Sequence, residues 1–247
     1  DQTAREVLLF GLGSDGTVGA SKNIVKIIGD NTKLFSQSYA SYDSKKSGGI
    51  TRMHLRFSKN PIRSTYLVTE PHFVSCSQES YLNKYDMLKG LREGGIFLLN
   101  TKHGKDEIVD VLPNSYKRAL ATKNAKLFIV NAVEIAEEIG LGNRTNTIMQ
   151  SGFFKLNENL MTFEEANRHM KEFAHLSYHK YGEEVVEMNY KAIDAGGNAL
   201  IEVPVKPEWK DLTDDKVVVD DKRPDFVKNL ADIVNRIEGD SLPVSAF

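Results

Sequence analysis

Hydrophobic and polar positions along this chain switch between two periods. Residues 6–10, Glu6-Val7-Leu8-Leu9-Phe10, form a short apolar run that stops at a glycine cluster, the pattern of a buried strand. Residues 11–17 read as a turn. Val18, Lys22, Val25 and Ile28 then recur at helical spacing, and Gly29 can end that helix. Residues 34–41 alternate and predict a second strand, residues 42–49 a polar loop rich in Lys, Ser and Gly, and residues 50–57 a third strand. Short strands are expected at 65–68 and 72–76, a helix at 80–91, and an apolar strand at 96–99 after Gly94-Gly95. A strand at 126–131, a helix at 132–139 closed by Gly140 and a helix at 145–156 follow. Thr162 can cap a long helix, with Glu165 three residues on. Residues 182–199 read as a helix broken near Gly196-Gly197. Strands alternating with helices predict an α/β layered fold: a central, largely parallel sheet flanked by helices.

The pattern changes after Ile201. Val203-Pro204-Val205-Lys206-Pro207 predicts a stiff, extended linker. Residues 209–221 are charged without a clear core face, 224–237 predict a helix with Pro224 near its first turn, and 241–247 look extended. A boundary is therefore expected near residue 203, with residues 1–203 as the α/β domain and 204–247 as an extended C-terminal tail.

Composition narrows the classes. Of 247 residues, 40% are apolar and 27% charged, which suits one large soluble domain or a domain with an appendage. A net charge of −2 gives no pull toward nucleic acid or anionic membrane. No run approaches the roughly 18 to 20 apolar residues of a membrane span, and no signal peptide opens the chain. The first residue, Asp1, is not Met, which points to an internal or processed start. One cysteine, Cys76, excludes an internal disulfide and a cysteine-ligated cluster housed here, and fits a reducing cytoplasm. Cys76 ends an apolar strand and is expected buried rather than reactive.

Two loops carry the candidate chemistry. Gly11-x-Gly13-x-x-Gly16 is a dinucleotide fingerprint placed between a strand and a helix, where backbone N–H groups attract phosphate. Ser14 and Thr17 can add hydroxyl donors. The same glycines also suit a plain tight turn. Asp43 is the candidate for a ribose-binding acid, but it opens a basic loop that fits an anionic ligand better. In Tyr42-Asp43-Ser44-Lys45-Lys46-Ser47-Gly48-Gly49, two lysines with flanking hydroxyls and glycines can wrap a polyphosphate, or simply face solvent. Together the loops say more, because loops at the carboxyl ends of neighbouring strands share the ligand crevice of a doubly wound sheet. Arg52 and Arg56 share a strand face with His54, and Arg63 follows; they suit either an anion or salt bridges. Residues 143–146 read first as a helix cap. The histidines show no metal-ligand set, and no complete catalytic set appears.

At these loops the sequence resembles the pyruvate:ferredoxin (flavodoxin) oxidoreductases. The matching runs are Gly11-Leu12-Gly13-Ser14-Asp15-Gly16-Thr17-Val18-Gly19 with Lys22-Asn23, then residues 42–49, His54-Leu55-Arg56-Phe57 and Pro61-Ile62-Arg63-Ser64-Thr65-Tyr66-Leu67. Residues 242–247, Leu242-Pro243-Val244-Ser245-Ala246-Phe247, look like the start of the segment before that family's iron–sulfur domain. The resemblance covers essentially the whole chain and implies the gamma-type third domain of the large chain, associated with coenzyme A. It implies oxidative decarboxylation of pyruvate to acetyl-CoA and carbon dioxide, with electrons passing from thiamine diphosphate through 4Fe–4S clusters to ferredoxin or flavodoxin. Thiamine-binding residues and cluster cysteines have no counterpart here, so this domain is expected to do no complete chemistry alone. By position, Gly13, Ser14, Asp15, Gly16, Thr17, Asn23, Asp43, Lys45, Lys46 and Ser47 are the expected contacts of coenzyme A. Position 21, where relatives often carry Asn rather than Ser21, departs from the pattern. The expected partners are the other domains of a homodimeric enzyme and its ferredoxin or flavodoxin, with no nucleic acid or membrane. The alternatives are an NAD-type domain in which Asp43 accepts from ribose, and a docking module in which the glycine loop is only a turn.

Overall fold

β1 (Arg5–Leu12) is apolar on both sides, and the layers of the molecule follow from it. Val7 and Leu9 point to one face of the sheet, Leu8 and Phe10 to the other, and all four are buried. A computed structural model describes residues 3–43, 48–63, 65–215 and 222–247. Among the described residues seven strands form one sheet in the order β2-β3-β1-β4-β5-β6-β7. The remaining strands are β2 (Phe35–Tyr42), β3 (Ile50–Ser58), β4 (Phe73–Cys76), β5 (Ile96–Asn100), β6 (Lys126–Val130) and β7 (Ile201–Val203).

The centre is parallel: β1 pairs with β4, β4 with β5 and β5 with β6. β3 runs antiparallel between β1 and β2, and β7 antiparallel beside β6. The α/β layered architecture is thus the one the periodicity predicts, with antiparallel additions toward both edges. The helices are α1 (Thr17–Asn31), α2 (Ile108–Val111), α3 (Asn114–Thr122), α4 (Ala132–Ile139), α5 (Asn146–Leu156), α6 (Phe163–Tyr178), α7 (Glu183–Asn198) and α8 (Asp232–Asn235). On the first face, α1 and α4 to α7 bury Val7, Leu9, Ile24, Phe57, Phe153 and Ile193 in one core. On the second face, α2, α3 and the turn at Glu79–Asn83 bury Leu8, Phe10, Tyr81, Phe97, Tyr116 and Leu127. Each such side chain contributes roughly 1.5–3 kcal/mol relative to exposure, so the two cores fix the sheet between them.

Several local expectations are corrected. Residues 65–68 form no strand; Val68 donates its N–H to His54 Nδ1 at 3.1 Å instead of joining a ladder. Residues 80–91 are a short 3₁₀ turn followed by irregular turns rather than a helix. Gly196 and Gly197 do not break α7; they let it approach its neighbours. A Cβ at Gly196 would lie 2.5 Å from the Ile148 carbonyl of α5, and one at Gly197 2.1 Å from the Phe163 ring. The helices at Ile108–Val111 and Asn114–Thr122 carried no strong periodic signal and emerge only in the fold. Residues 201–203 are a strand, and the segment beyond stays attached: Trp209 is buried, Arg118 Nη1 donates to the Leu212 carbonyl at 2.8 Å, and Asp215 accepts from Asn114 N–H at the start of α3. Residues 227–231 form a π-helical turn that leads into α8, and residues 244–246 a 3₁₀ turn.

Candidate functional site

The glycine loop bridges the carboxyl end of β1 and the start of α1. Its shape is set by one side chain. Asp15 Oδ2 accepts from Leu12 N–H at 2.8 Å and from Ser77 Oγ at 2.6 Å, and Oδ1 accepts from Thr17 N–H at 2.9 Å. The carboxylate therefore faces inward, pinning both ends of the loop and tying it to the residue after β4. Ser14 and Gly16 both hold positive φ, at 76° and 88°. Gly16 needs its missing side chain twice over, since a Cβ there would also meet Asn146 Cγ at 2.8 Å. Gly11 is required by contact: a Cβ would stand 2.1 Å from Thr17 Oγ1.

With Thr17 N–H taken by Asp15, Val18 and Gly19 supply the remaining first-turn N–H groups that lack an intrahelical acceptor. No acidic side chain lies within the first turn of α1, so the Asp15 carboxylate just before it is the charge that meets its positive end. Ser14 is exposed at the loop's outer side and Thr17 is half-buried.

The second loop comes to the same place by an unexpected route. β3, not β2, is the neighbour of β1, yet the β1–β3 ladder ends with Leu12 opposite Ile50. Gly13 N–H then donates to the Gly49 carbonyl at 2.8 Å, and Asp43 N–H to the Ile50 carbonyl at 3.0 Å. Asp43 after β2 and Gly49 before β3 thus lie alongside the glycine loop. A cavity of about 400 Å³ is lined by Gly13, Ser14, Gly16, Thr17, Tyr42 and Asp43 among others. Leu12 to Asp15 also border a larger crevice of about 940 Å³ that runs past the ends of β4, β5 and β6, by Ser77, Glu79, Thr101, Lys102, Asn131 and Asn143. Lys45, Lys46 and Ser47 lie outside the described residues.

Asn23 stands apart. It lies on the second turn of α1 and lines a small cavity against α5, α6 and α7 with Asn146, Gln150 and Asn189, rather than the cavity between the glycine loop and Asp43. Thr145 and Asn146 begin α5, and Asn146 packs on Gly16. Ser77 is a loop contact that the sequence reading did not single out, and Asn146 one that it read first as part of a helix cap. Ser77 follows the apolar run 73–76, and its place just beyond a parallel strand was the available signal.

Cys76 is buried, and that burial lifts its thiol to about 12, so it is held as an unreactive thiol. Arg56 is buried in a salt bridge, Nε to Glu6 Oε1 at 2.8 Å, with Nη1 donating to Gln37 Oε1 at 3.2 Å and the guanidinium 4.7 Å from the Tyr66 ring centroid. Arg52 Nη2 reaches Ser41 Oγ at 3.4 Å. His54 is buried beside both arginines; burial first, then their charge, holds its pKa down to about 4. No group of three metal-ligating side chains occurs among the described residues, and no helix there is long and apolar enough to cross a membrane.

Comparison with known proteins gives this geometry a family. The profile described as pyruvate ferredoxin/flavodoxin oxidoreductase matches residues 6–199, and one described as a domain of unknown function matches residues 213–247. The chain is 49% identical over 238 residues to a pyruvate-flavodoxin oxidoreductase of Enterobacter agglomerans and 44% identical over 238 residues to the pyruvate:ferredoxin oxidoreductase of Moorella thermoacetica. In both cases 96% of this chain aligns to only 20% of the relative, so it spans about a fifth of their length. Among solved structures, the pyruvate oxidoreductase subunit PORC of Thermotoga maritima superposes with a TM-score of 0.65 at 18% identity, covering 81% of this chain and 98% of that one. A 2-oxoglutarate:ferredoxin oxidoreductase of Magnetococcus marinus, solved with 2-oxoglutarate, coenzyme A and succinyl-CoA bound, superposes with a TM-score of 0.57 at 17% identity over 81% of this chain and 31% of its own. At that identity the two structures show a shared fold, while the sequence matches show descent: the chain belongs to the pyruvate ferredoxin/flavodoxin oxidoreductase family.

Proposed function

We propose that this chain is the coenzyme A-associated domain of a larger oxidoreductase, which oxidatively decarboxylates pyruvate to acetyl-CoA and passes the electrons to ferredoxin or flavodoxin. Residues 1–203 cradle the phosphates of coenzyme A and act as a lid, and residues 204–247 lead toward the iron–sulfur domain. Thiamine diphosphate and the 4Fe–4S clusters belong to the rest of the polypeptide, since one buried cysteine cannot hold a cluster. The whole enzyme acts as a cytoplasmic homodimer.

One observation carries this reading: the glycine loop meets Asp43 and Gly49, at the ends of β2 and β3, beside the amino end of α1, joined by the Gly13–Gly49 hydrogen bond. Phosphate oxygens need backbone donors, hydroxyls and cations. The loop offers first-turn N–H groups with the Ser14 and Thr17 hydroxyls, and Lys45, Lys46 and Ser47 follow Asp43 closely in sequence. Asp15 serves as the brace of the loop, and Asp43 as a half-buried acid at the rim. A domain of this kind lowers a barrier by placing the thiol end of its ligand in a site built elsewhere. The coenzyme A bound in the Magnetococcus structure, which shares the fold, supports the same ligand class.

Calorimetric titration with coenzyme A, dephospho-coenzyme A and NAD tests it. Saturable binding of coenzyme A, weakened without the 3′-phosphate, is expected. Lys45→Ala with Lys46→Ala should lower that affinity by about 2 kcal/mol, as for lost charge-assisted hydrogen bonds. NAD bound as well as coenzyme A, with dependence on Asp43, would replace this reading by the dinucleotide one.

A further inference from the structure

Polar side chains are buried where the parallel strands end. Ser77 follows β4 and Asn100 is the last residue of β5, a strand that otherwise reads Ile-Phe-Leu-Leu. Asn100 Oδ1 accepts from the N–H of Ala132, the first residue of α4, at 2.9 Å, and Asn100 Nδ2 donates to the Ser77 carbonyl at 3.1 Å. Both ends of the amide are used, so its orientation is fixed by a donor on one side and an acceptor on the other. Ser77 is held just as fully. Its N–H donates to the Phe10 carbonyl of β1 at 2.9 Å, its carbonyl accepts from Asn100, and its hydroxyl donates to Asp15.

These bonds form one continuous path, from the start of α4 through Asn100 and Ser77 to Asp15, and so to both ends of the glycine loop. Asp15, Ser77, Asn100 and Asn131 all border the larger crevice, so the path runs along its lining. A carboxylate beside an anion site works against the ligand unless donors answer its charge. Asp15 has three: the N–H groups of Leu12 and Thr17 and the hydroxyl of Ser77. Of these, the hydroxyl alone comes from outside the loop, and it ties the carboxylate to the sheet.

We propose that Ser77 and Asn100 are positioning residues for the anionic ligand. Asn100 fixes the backbone of Ser77, Ser77 keeps the Asp15 carboxylate turned inward, and the first-turn N–H groups of α1 stay open to phosphate. This role needs no contact between either residue and the ligand; it is support of a binding loop by hydrogen bonds behind it. An apolar residue at position 100 would serve the core as Leu98 and Leu99 do, but it could not aim Ser77. The inference rests on the proposed phosphate site and names the residues that hold it in shape.

Two measurements on the whole polypeptide test it. Amide hydrogen exchange over residues 11–19 reads the support of the loop directly, and the KM for coenzyme A at saturating pyruvate reads its consequence. Ser77→Ala removes only the hydroxyl. Asn100→Asp keeps the acceptor for Ala132 N–H but sets an acceptor against the Ser77 carbonyl. Each should speed exchange at 11–19 by about tenfold while α7 keeps its rate. Each should raise the KM for coenzyme A by about tenfold, the effect of one charge-assisted hydrogen bond, with kcat and the KM for pyruvate unchanged. Ser77→Thr keeps the hydroxyl and should bring both readouts back to within about twofold of the unsubstituted enzyme. Unchanged exchange at 11–19 in Ser77→Ala and Asn100→Asp overturns the proposal. So does faster exchange throughout, α7 included, which marks a general loss of stability. Faster loop exchange with an unchanged KM also overturns it, provided that Lys45→Ala with Lys46→Ala raises that KM. If the lysine pair leaves the KM unchanged, the coenzyme A reading fails by itself, and the exchange rates alone decide whether Ser77 and Asn100 hold the loop.

Discussion

Two groups of glycines do opposite work in this molecule. Gly11, Gly13 and Gly16 form a loop whose backbone is presented outward, braced from within by Asp15. Gly152, Gly196 and Gly197 sit inside helices, where the missing Cβ lets α5, α6 and α7 close on one another and on the sheet. A glycine pair within a helical pattern reads as a break, since glycine costs about 1 kcal/mol against alanine in a helix interior. Here that cost is offset by close helix packing, and α7 runs through both residues to Asn198. The same residue type therefore exposes backbone in one region and hides it in the other, and the difference is legible only in what a Cβ would strike.

Substitutions separate the two roles. Gly196→Ala should have the largest effect on stability, about 3 kcal/mol, because its Cβ meets backbone of α5 at 2.5 Å and 2.9 Å rather than a side chain that can turn away. Urea unfolding would measure this, and coenzyme A affinity of the folded fraction should stay the same. Gly11→Ala should cost less, about 2 kcal/mol, since the obstacle is the Thr17 side chain. It should also weaken coenzyme A by about tenfold, the size of one charge-assisted hydrogen bond, as the loop shifts. If the affinity holds while stability falls, the loop is only a turn. The smallest change is expected at Gly19, which has open space around it and an ordinary helical φ. Gly19→Ala should raise the free energy of unfolding slightly, by about 0.5 kcal/mol, through helix propensity alone.

Much of the framework was legible beforehand because it rests on short-range periodicity. The strand at 6–10, the helix after Gly16 and the cap at Thr162, whose Oγ1 accepts from Glu165 N–H, all follow from local pattern. The glycine loop was also legible as a turn between a strand and a helix. What local pattern could not reveal was topology. The hairpin placed β3 between β1 and β2, and nothing in the spacing of residues 50–57 announces that. The inward turn of Asp15 was equally hidden, because its partner Ser77 is 62 residues away. Asn23 matched a family run yet faces α5 and α6, since position along a helix decides direction and a linear match does not record it. Residues 80–91 looked helical from composition, but Tyr81 spends its hydroxyl on the Gly11 carbonyl and the chain follows the core instead.

The inserted strand has one more consequence. From Arg5 opposite Phe57 to Leu12 opposite Ile50, the ladder between β1 and β3 works as a caliper, and the glycine loop and Gly49 are its jaws. The gap between the jaws is set by register, so it comes in steps of one residue rather than drifting with side-chain motion. Each residue inserted into β3 would slide Gly49 by about 3.4 Å along the glycine loop and flip the side chains beyond the insertion to the opposite face. Through that ladder, evolution could resize this crevice for a different ligand without altering any residue that lines it.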